Sequence, residues 1–203
     1  MLGRIIAILV FFELPLWRMY ARLRRATVHP SVVMRGRPIF RCVKGASLVL
    51  REGVRINSSP ASNPVIGRSR SALCAISPGA VLDVGKGVGM SGVCLCAAQS
   101  LIIGEDTIIG ADALITDTDF HLPLPGWKWS NDALAASKPV VIGRGCFIGA
   151  RAIILKGVSL GDGSLVAAGA VVTRDVPAAH LAIGNPAQIR PLDGRWIHPS
   201  VDC

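Results

Sequence analysis

His121 is the only histidine between residues 30 and 179, and two carboxylates, Asp117 and Asp119, stand just before it. An imidazole with a carboxylate in reach is the minimal general-base unit. The ring takes the proton, while the carboxylate fixes its tautomer and stabilises the imidazolium. Either aspartate satisfies the spacing. The three residues open the stretch Asp-Thr-Asp-Phe-His-Leu-Pro-Leu-Pro-Gly-Trp-Lys-Trp-Ser-Asn-Asp, which holds two prolines and both Trp127 and Trp129. Loops this long inside a compact domain are usually functional or disordered, and the Pro and Trp content predicts an ordered binding feature. An isolated histidine is more often structural than catalytic. What singles out His121 is its place at the one break in an otherwise perfect repeat.

That repeat has a period of six and supplies the scaffold. Ile142, Ile148, Ile154, Leu160, Val166 and Val172 recur without a miss, and Gly143, Gly149 and Gly161 follow three of them. A second small or aliphatic row runs through Cys146, Ala152, Val158, Ser164, Ala170 and Val176. Six fits neither the helical period nor continued strand alternation. It fits a solenoid in which each hexad makes one short flat face and a turn. The repeated aliphatics point inward and stack at the strand spacing of about 4.8 Å. Glycine at the corners is expected to accept positive φ. Upstream the period is ragged: Leu48, Val54, Pro60 and Ile66 share one register, Ile76, Leu82, Val88 and Cys94 a second, Ile103, Ile109 and Ile115 a third. Loops bulging from coil corners would leave such slips. Asp83, Glu105, Asp106 and Asp162 read as turn formers.

Composition agrees with an aliphatic, tightly cornered core: aromatics are 5%, with 22 Gly and 13 Pro. A net charge of +9 predicts anionic partners, whether phosphate-bearing cofactors, nucleic acid or an acidic membrane face. No Lys/Arg block with interleaved aromatics occurs in the repeat, so nucleic acid is the weakest of these. Six cysteines without paired CxxC motifs or a His cluster predict a reduced, cytoplasmic setting and no metal site. Cys94 and Cys146 fall on repeat rows and are expected to be buried.

Residues 1–26 differ from the rest. Ile5 to Phe12 is apolar but too short to span a bilayer, and Pro15 predicts that a second helix begins there. Trp17, Tyr20 and Leu23 give that helix an apolar side, and Arg18, Arg22, Arg24 and Arg25 a basic one. Two expectations follow: residues 1–25 lie peripherally on anionic lipid at the inner face of the membrane, or they cover the open end of the solenoid. The expected organisation is an amphipathic helical segment (1–26), a β-helix domain (27–192) with a protruding loop (117–139), and a tail (193–203) carrying Trp196 and His198.

The segment Ile115-Thr-Asp-Thr-Asp-Phe-His121, the block Val141-Ile-Gly-Arg-Gly-Cys-Phe-Ile-Gly149, and Gly169-Ala-Val-Val-Thr-Arg-Asp-Val176 continuing to Gly184-Asn-Pro-Ala resemble the bacterial hexapeptide-repeat acyltransferases. The resemblance is to the sugar O-acetyltransferase branch with the galactoside and maltose acetyltransferases. It implies an all-β, left-handed parallel β-helix and a homotrimer, with acetyl-CoA in the groove between subunits. That handedness departs from the usual crossover rule. It also implies that His121 is the catalytic base for direct acetyl transfer to a hydroxyl of a sugar or glycan precursor, as in polysaccharide biosynthesis. Transfer without an acyl-enzyme suits the absence of Ser or Cys beside His121. By the same matching Asp119 or Asp117 orients the ring, and the amide of Ala150 or the Ser91-Gly92 pair is an oxyanion donor. Ala150, Ala168 and Arg174 line the CoA arm, and Arg190 is the cation of the C-terminal pattern. Ser91 stands near the place where the galactoside and maltose enzymes use an Asn for the acceptor. Trp127 and Trp129 stack on a sugar or pin the loop to a neighbouring subunit. The rival readings are N-acylation of a nucleotide-linked amino sugar and a non-catalytic β-helix module. A metal-dependent hydratase on this fold would need three converging histidines, and one is present.

Overall fold

The computed structural model describes residues 16–63, 65 and 70–193. The apolar run Ile5–Phe12, Ile66, Trp196 and His198 lie outside the described residues.

The hexads build three parallel sheets wound as one left-handed parallel β-helix. The first sheet stacks β1 (Ala26–Val28), β4 (Ser47–Leu50), β7 (Val81–Val84), β10 (Ser100–Ile103), β15 (Val140–Ile142) and β18 (Ser159–Leu160). The second stacks β2 (Val33–Gly36), β5 (Arg55–Ser58), β8 (Gly89–Ser91), β11 (Ile108–Ile109), β16 (Phe147–Ile148) and β19 (Leu165–Val166). The third stacks β3 (Ile39–Cys42), β6 (Ala72–Ala75), β9 (Cys94–Ala97), β12 (Leu114–Thr116), β17 (Ile153–Ile154) and β20 (Val171–Val172). Val141 pairs with Ser159, 18 residues on, so a regular coil is three hexads.

Both repeat rows are buried, with every member of each at 2% exposure or less. In the ragged region Leu48, Val54, Leu82, Val88, Ile103, Ile109 and Ile115 are buried as read, whereas Pro60, Ile76 and Cys94 are not. Inward positions are Leu73 and Ala75 rather than Ile76, and Leu95 and Ala97 rather than Cys94; Cys94 faces outward, half-buried, while Cys146 is buried as expected. The reason is that these strands run four residues and bury more than one side chain each, Leu73 and Ala75 in β6 and Leu95, Cys96 and Ala97 in β9, which shifts the apparent period. Pro60 sits exposed in the loop leaving β5. Asp83 lies on β7, where its carboxylate takes two hydrogen bonds from Arg51 at 2.8 and 2.6 Å.

Glycine also works differently from the corner expectation. Gly143, Gly149 and Gly161 have ordinary φ, and a Cβ on each would collide with the backbone of the next coil. Close stacking requires them. Positive φ falls two residues later, at Gly145 (60°) and Gly163 (63°).

Both ends of the stack are covered. A helix over residues 16–23 (α1) lies on the first coil, burying Ala21 and packing Trp17 and Tyr20 on the core. Trp17 meets Tyr20 edge-on at 6.0 Å. Arg18 donates to the Val32 carbonyl at 3.0 and 2.8 Å, and Arg24 to that of Phe40 at 3.1 Å, satisfying acceptors on the open edge. At the far end β21 (His180–Ile183) pairs with β19, and β22 (Gln188–Pro191) folds back antiparallel on β21. His180 opens the strand β21. No helix of the described residues is long and apolar enough to cross a membrane.

Candidate active site

The long loop leaves the third sheet after β12 and returns to the first at β15. Within it β13 (Pro123–Leu124) and β14 (Lys128–Trp129) form a small antiparallel hairpin. Its neck is tied by side chains: Thr118 donates to the Ala133 carbonyl at 2.6 Å, and Lys156 from the next coil donates to that of Ala136 at 2.9 Å. Phe120, just before His121, sits at φ 64°, a conformation costly for a bulky residue and held here by the surrounding bonds.

His121 is exposed at the hairpin base, and its Nδ1 lies 3.0 Å from the Ser130 carbonyl oxygen. A carbonyl only accepts, so Nδ1 carries the proton and the neutral ring keeps its lone pair on Nε2. Ser130 is itself fixed, donating its N–H to the Leu122 carbonyl at 2.9 Å. Neither aspartate is the ring's partner, which corrects the expectation for both. Asp117 is fully buried and accepts the N–H groups of Ala98, Gln99 and Ser100 at 2.7, 2.7 and 2.6 Å. Its carboxylate closes a coil corner. Asp119 pairs instead with Lys156 Nζ at 2.6 Å.

Asp119, His121, Trp129, Asn131 and Lys156 line one cleft of about 740 Å³, with Leu122 and Pro123. Ser130, Asn131 and Lys156 were not singled out from the sequence. Ser130 acts through its backbone, and Lys156 reads as an ordinary turn lysine before Gly157.

Ala150 and Ala168 do come together, in a separate groove of about 700 Å³ along the second sheet, beside Phe147, Leu165 and Leu181. Its other lining residues include Gly145, Gly149 and Gly163, so the floor is narrow and largely apolar. The Ala150 N–H makes no hydrogen bond among the described residues, whereas that of Gly92 donates to the Asn57 carbonyl at 2.9 Å. Of the two oxyanion donors considered, the Ser91-Gly92 pair is therefore already half engaged. Ser91 is buried and its hydroxyl accepts Asn57 Nδ2 at 3.2 Å; it lines neither cavity. Arg174 and Arg190 are exposed outside the groove, with Arg190 bonded to Gln188 at 3.4 Å. Trp127, at the hairpin tip, is 100% exposed and outside the cleft. No group of three or more His, Cys, Asp or Glu gathers as metal ligands among the described residues.

A family model for the hexapeptide repeat of succinyl-transferase matches residues 139–174. The 2,3,4,5-tetrahydropyridine-2,6-dicarboxylate N-acetyltransferase of Staphylococcus aureus is 50% identical over 54 residues, 27% of this chain and 23% of that protein. The chain thus matches less than a quarter of the length of such curated relatives. A hexapeptide-repeat acetyltransferase of Vibrio cholerae O1 biovar eltor, solved with acetyl coenzyme A, is 26% identical with a TM-score of 0.52, covering 86% of this chain and 76% of that one. An N-acyltransferase of Bacillus cereus, solved with dTDP-4-amino-4,6-dideoxyglucose and coenzyme A, has a TM-score of 0.59 at 14% identity, covering 82% and 83%. At that identity the likeness is one of fold. Residues 139–174 thus carry the hexapeptide repeat, and the chain as a whole shares the fold of hexapeptide-repeat acetyltransferases.

Proposed function

We propose that this chain transfers an acetyl group from acetyl-CoA to a hydroxyl of a sugar or glycan precursor, with His121 as general base and no acyl-enzyme. The observation that carries the reading is the bond from Nδ1 of His121 to the Ser130 carbonyl, which leaves Nε2 as an acceptor in an open cleft. Nε2 takes the proton of the acceptor hydroxyl as its oxygen bonds to the thioester carbonyl carbon. Breaking the C–S bond then returns that proton to the departing thiolate. The unbonded N–H of Ala150 is the donor for the oxyanion.

The narrow groove at Ala150 and Ala168 suits a pantetheine arm, and the acetyl coenzyme A complex of the Vibrio cholerae protein supports the donor. Arg174 and Arg190 offer exposed guanidinium groups for its phosphates. Trp129 belongs to the acceptor side, and the bare Trp127 to a contact between copies. Groove and cleft have no lining residue in common, so a complete site calls for a second copy, met in a homotrimer. An amine acceptor is the second reading, favoured by the Staphylococcus aureus N-acetyltransferase match.

The test incubates purified protein with labelled acetyl-CoA and panels of hydroxyl and amino sugars. His121→Ala should lower transfer about 100- to 10,000-fold, the usual share of a general base. Undiminished transfer by that variant would remove the catalytic role. A wild-type protein that does not bind acetyl-CoA would leave the scaffold as a binding module.

A further inference from the structure

The net charge of this chain comes from one stretch. Residues 16–63 contain ten Lys and Arg against a single acid, Glu52, a balance equal to the chain's whole formal net charge of +9. Everything else is neutral in sum. That stretch is α1 and the first coils of the solenoid, remote in sequence from the catalytic loop and from the groove.

The N-terminal end also exposes apolar surface. One side of α1, bearing Trp17, Tyr20 and Ala21, covers the first coil. Leu16, Met19 and Leu23, spaced to share another side, are 56%, 55% and 74% exposed. Arg18 and Arg24 hold carbonyls of the first coil and Arg51 holds Asp83, so these three serve the fold. Arg22, Arg25, Arg35, Arg37, Arg41 and Arg55 are exposed and form no ion pair among the described residues. Arg22 borders the apolar stripe on the helix.

We propose that this end is a docking face for a bilayer of anionic phospholipid. Unpaired cations attract a negative surface, and the Leu16–Met19–Leu23 stripe gains from burial at the headgroup and acyl boundary. A dissolved polyanion would meet the arginines equally well but would offer the stripe nothing to enter. The proposal stands apart from the acetyltransferase reading, since none of its residues lines the cleft or the groove.

The test is sedimentation of the full chain with vesicles of pure phosphatidylcholine, and with vesicles of equal parts phosphatidylcholine and phosphatidylglycerol, at low and high NaCl. Binding should need phosphatidylglycerol and weaken with salt. Arg22→Gln with Arg25→Gln should weaken it about 30-fold, from about a fivefold contribution per cation near such a surface. Leu16→Ser, Met19→Ser and Leu23→Ser together should weaken it more, at about tenfold for each aliphatic removed. All five positions are exposed, so unchanged thermal melting by circular dichroism verifies folding, and acetyl-CoA binding should be unaffected. Wild-type affinity in the serine variant overturns the proposal, as does equal binding to both vesicle types. Capture by heparin or DNA without capture by vesicles would make the face a polyanion site and also overturn it.

Discussion

The working state of His121 is set by a neighbour with no side-chain signature. The Ser130 carbonyl accepts the hydrogen bond from Nδ1–H and leaves Nε2 free for the proposed role as base; the sequence reading gave that orienting task to an aspartate. His121 itself was legible because it sits in the long break just ahead of the perfect repeat; its partner was not, since any residue type can present a backbone carbonyl. Asp117 illustrates the reverse: a carboxylate at the right spacing is fully buried at a coil corner under three N–H groups. Asp117→Ala should therefore act on stability, costing about 3 kcal/mol or more because those donors lose a charged acceptor. Chemical denaturation measures it; a stable but inactive variant would return Asp117 to the catalytic machinery. Lys156, bridging Asp119 and the Ala136 carbonyl, holds both ends of the loop at 2.6 and 2.9 Å. Lys156→Met should lower kcat about tenfold, the scale of a slightly misplaced catalytic group, with acetyl-CoA affinity unchanged. An unaltered kcat would show that the loop keeps its shape without the bridge.

At the scale of the element, the hexad pattern gave the architecture but not every register. From Ile142 to Val176 both rows landed inward, because each two-residue strand buries one side chain and each corner one more. Upstream, longer strands and the loop after β5 disguised the period, and Cys94 came out on the outer face. The glycines after the inward aliphatics were visible in the sequence, yet their cause, the next coil's backbone in near contact, needed coordinates. Gly161→Ala should accordingly lower Tm by several degrees, since backbone at Ala178 must shift to admit a methyl. An unchanged Tm would mean that the coils stack more loosely than described. Burial also pushes the Cys96 thiol up from 9.0 to about 12, while Cys74 and Cys94 beside it are raised in the same direction. The folded chain then holds protons that the unfolded chain releases. The resulting stability is full below pH 9 and is lost as pH rises from there toward about 12. Cys96→Ala should flatten that alkaline decline in Tm; an identical slope would contradict it.

At the scale of the whole molecule, one chain presents His121 in a cleft between the third and first sheets and a narrow apolar groove on the second. No lining residue joins them, so the shared-site reading makes neighbouring copies indispensable, each lending its groove to the other's histidine. Ala168→Trp fills the groove and should abolish acetyl-CoA binding while leaving His121 untouched. The most direct test co-expresses His121→Ala with Ala168→Trp, each inactive alone, and assays the mixed oligomers. Sites built from two copies predict recovery of about a quarter of wild-type transfer, because random assembly pairs an intact histidine with an intact groove that often. Mixed oligomers that form but stay inactive would contradict a site shared between copies with His121 as its base.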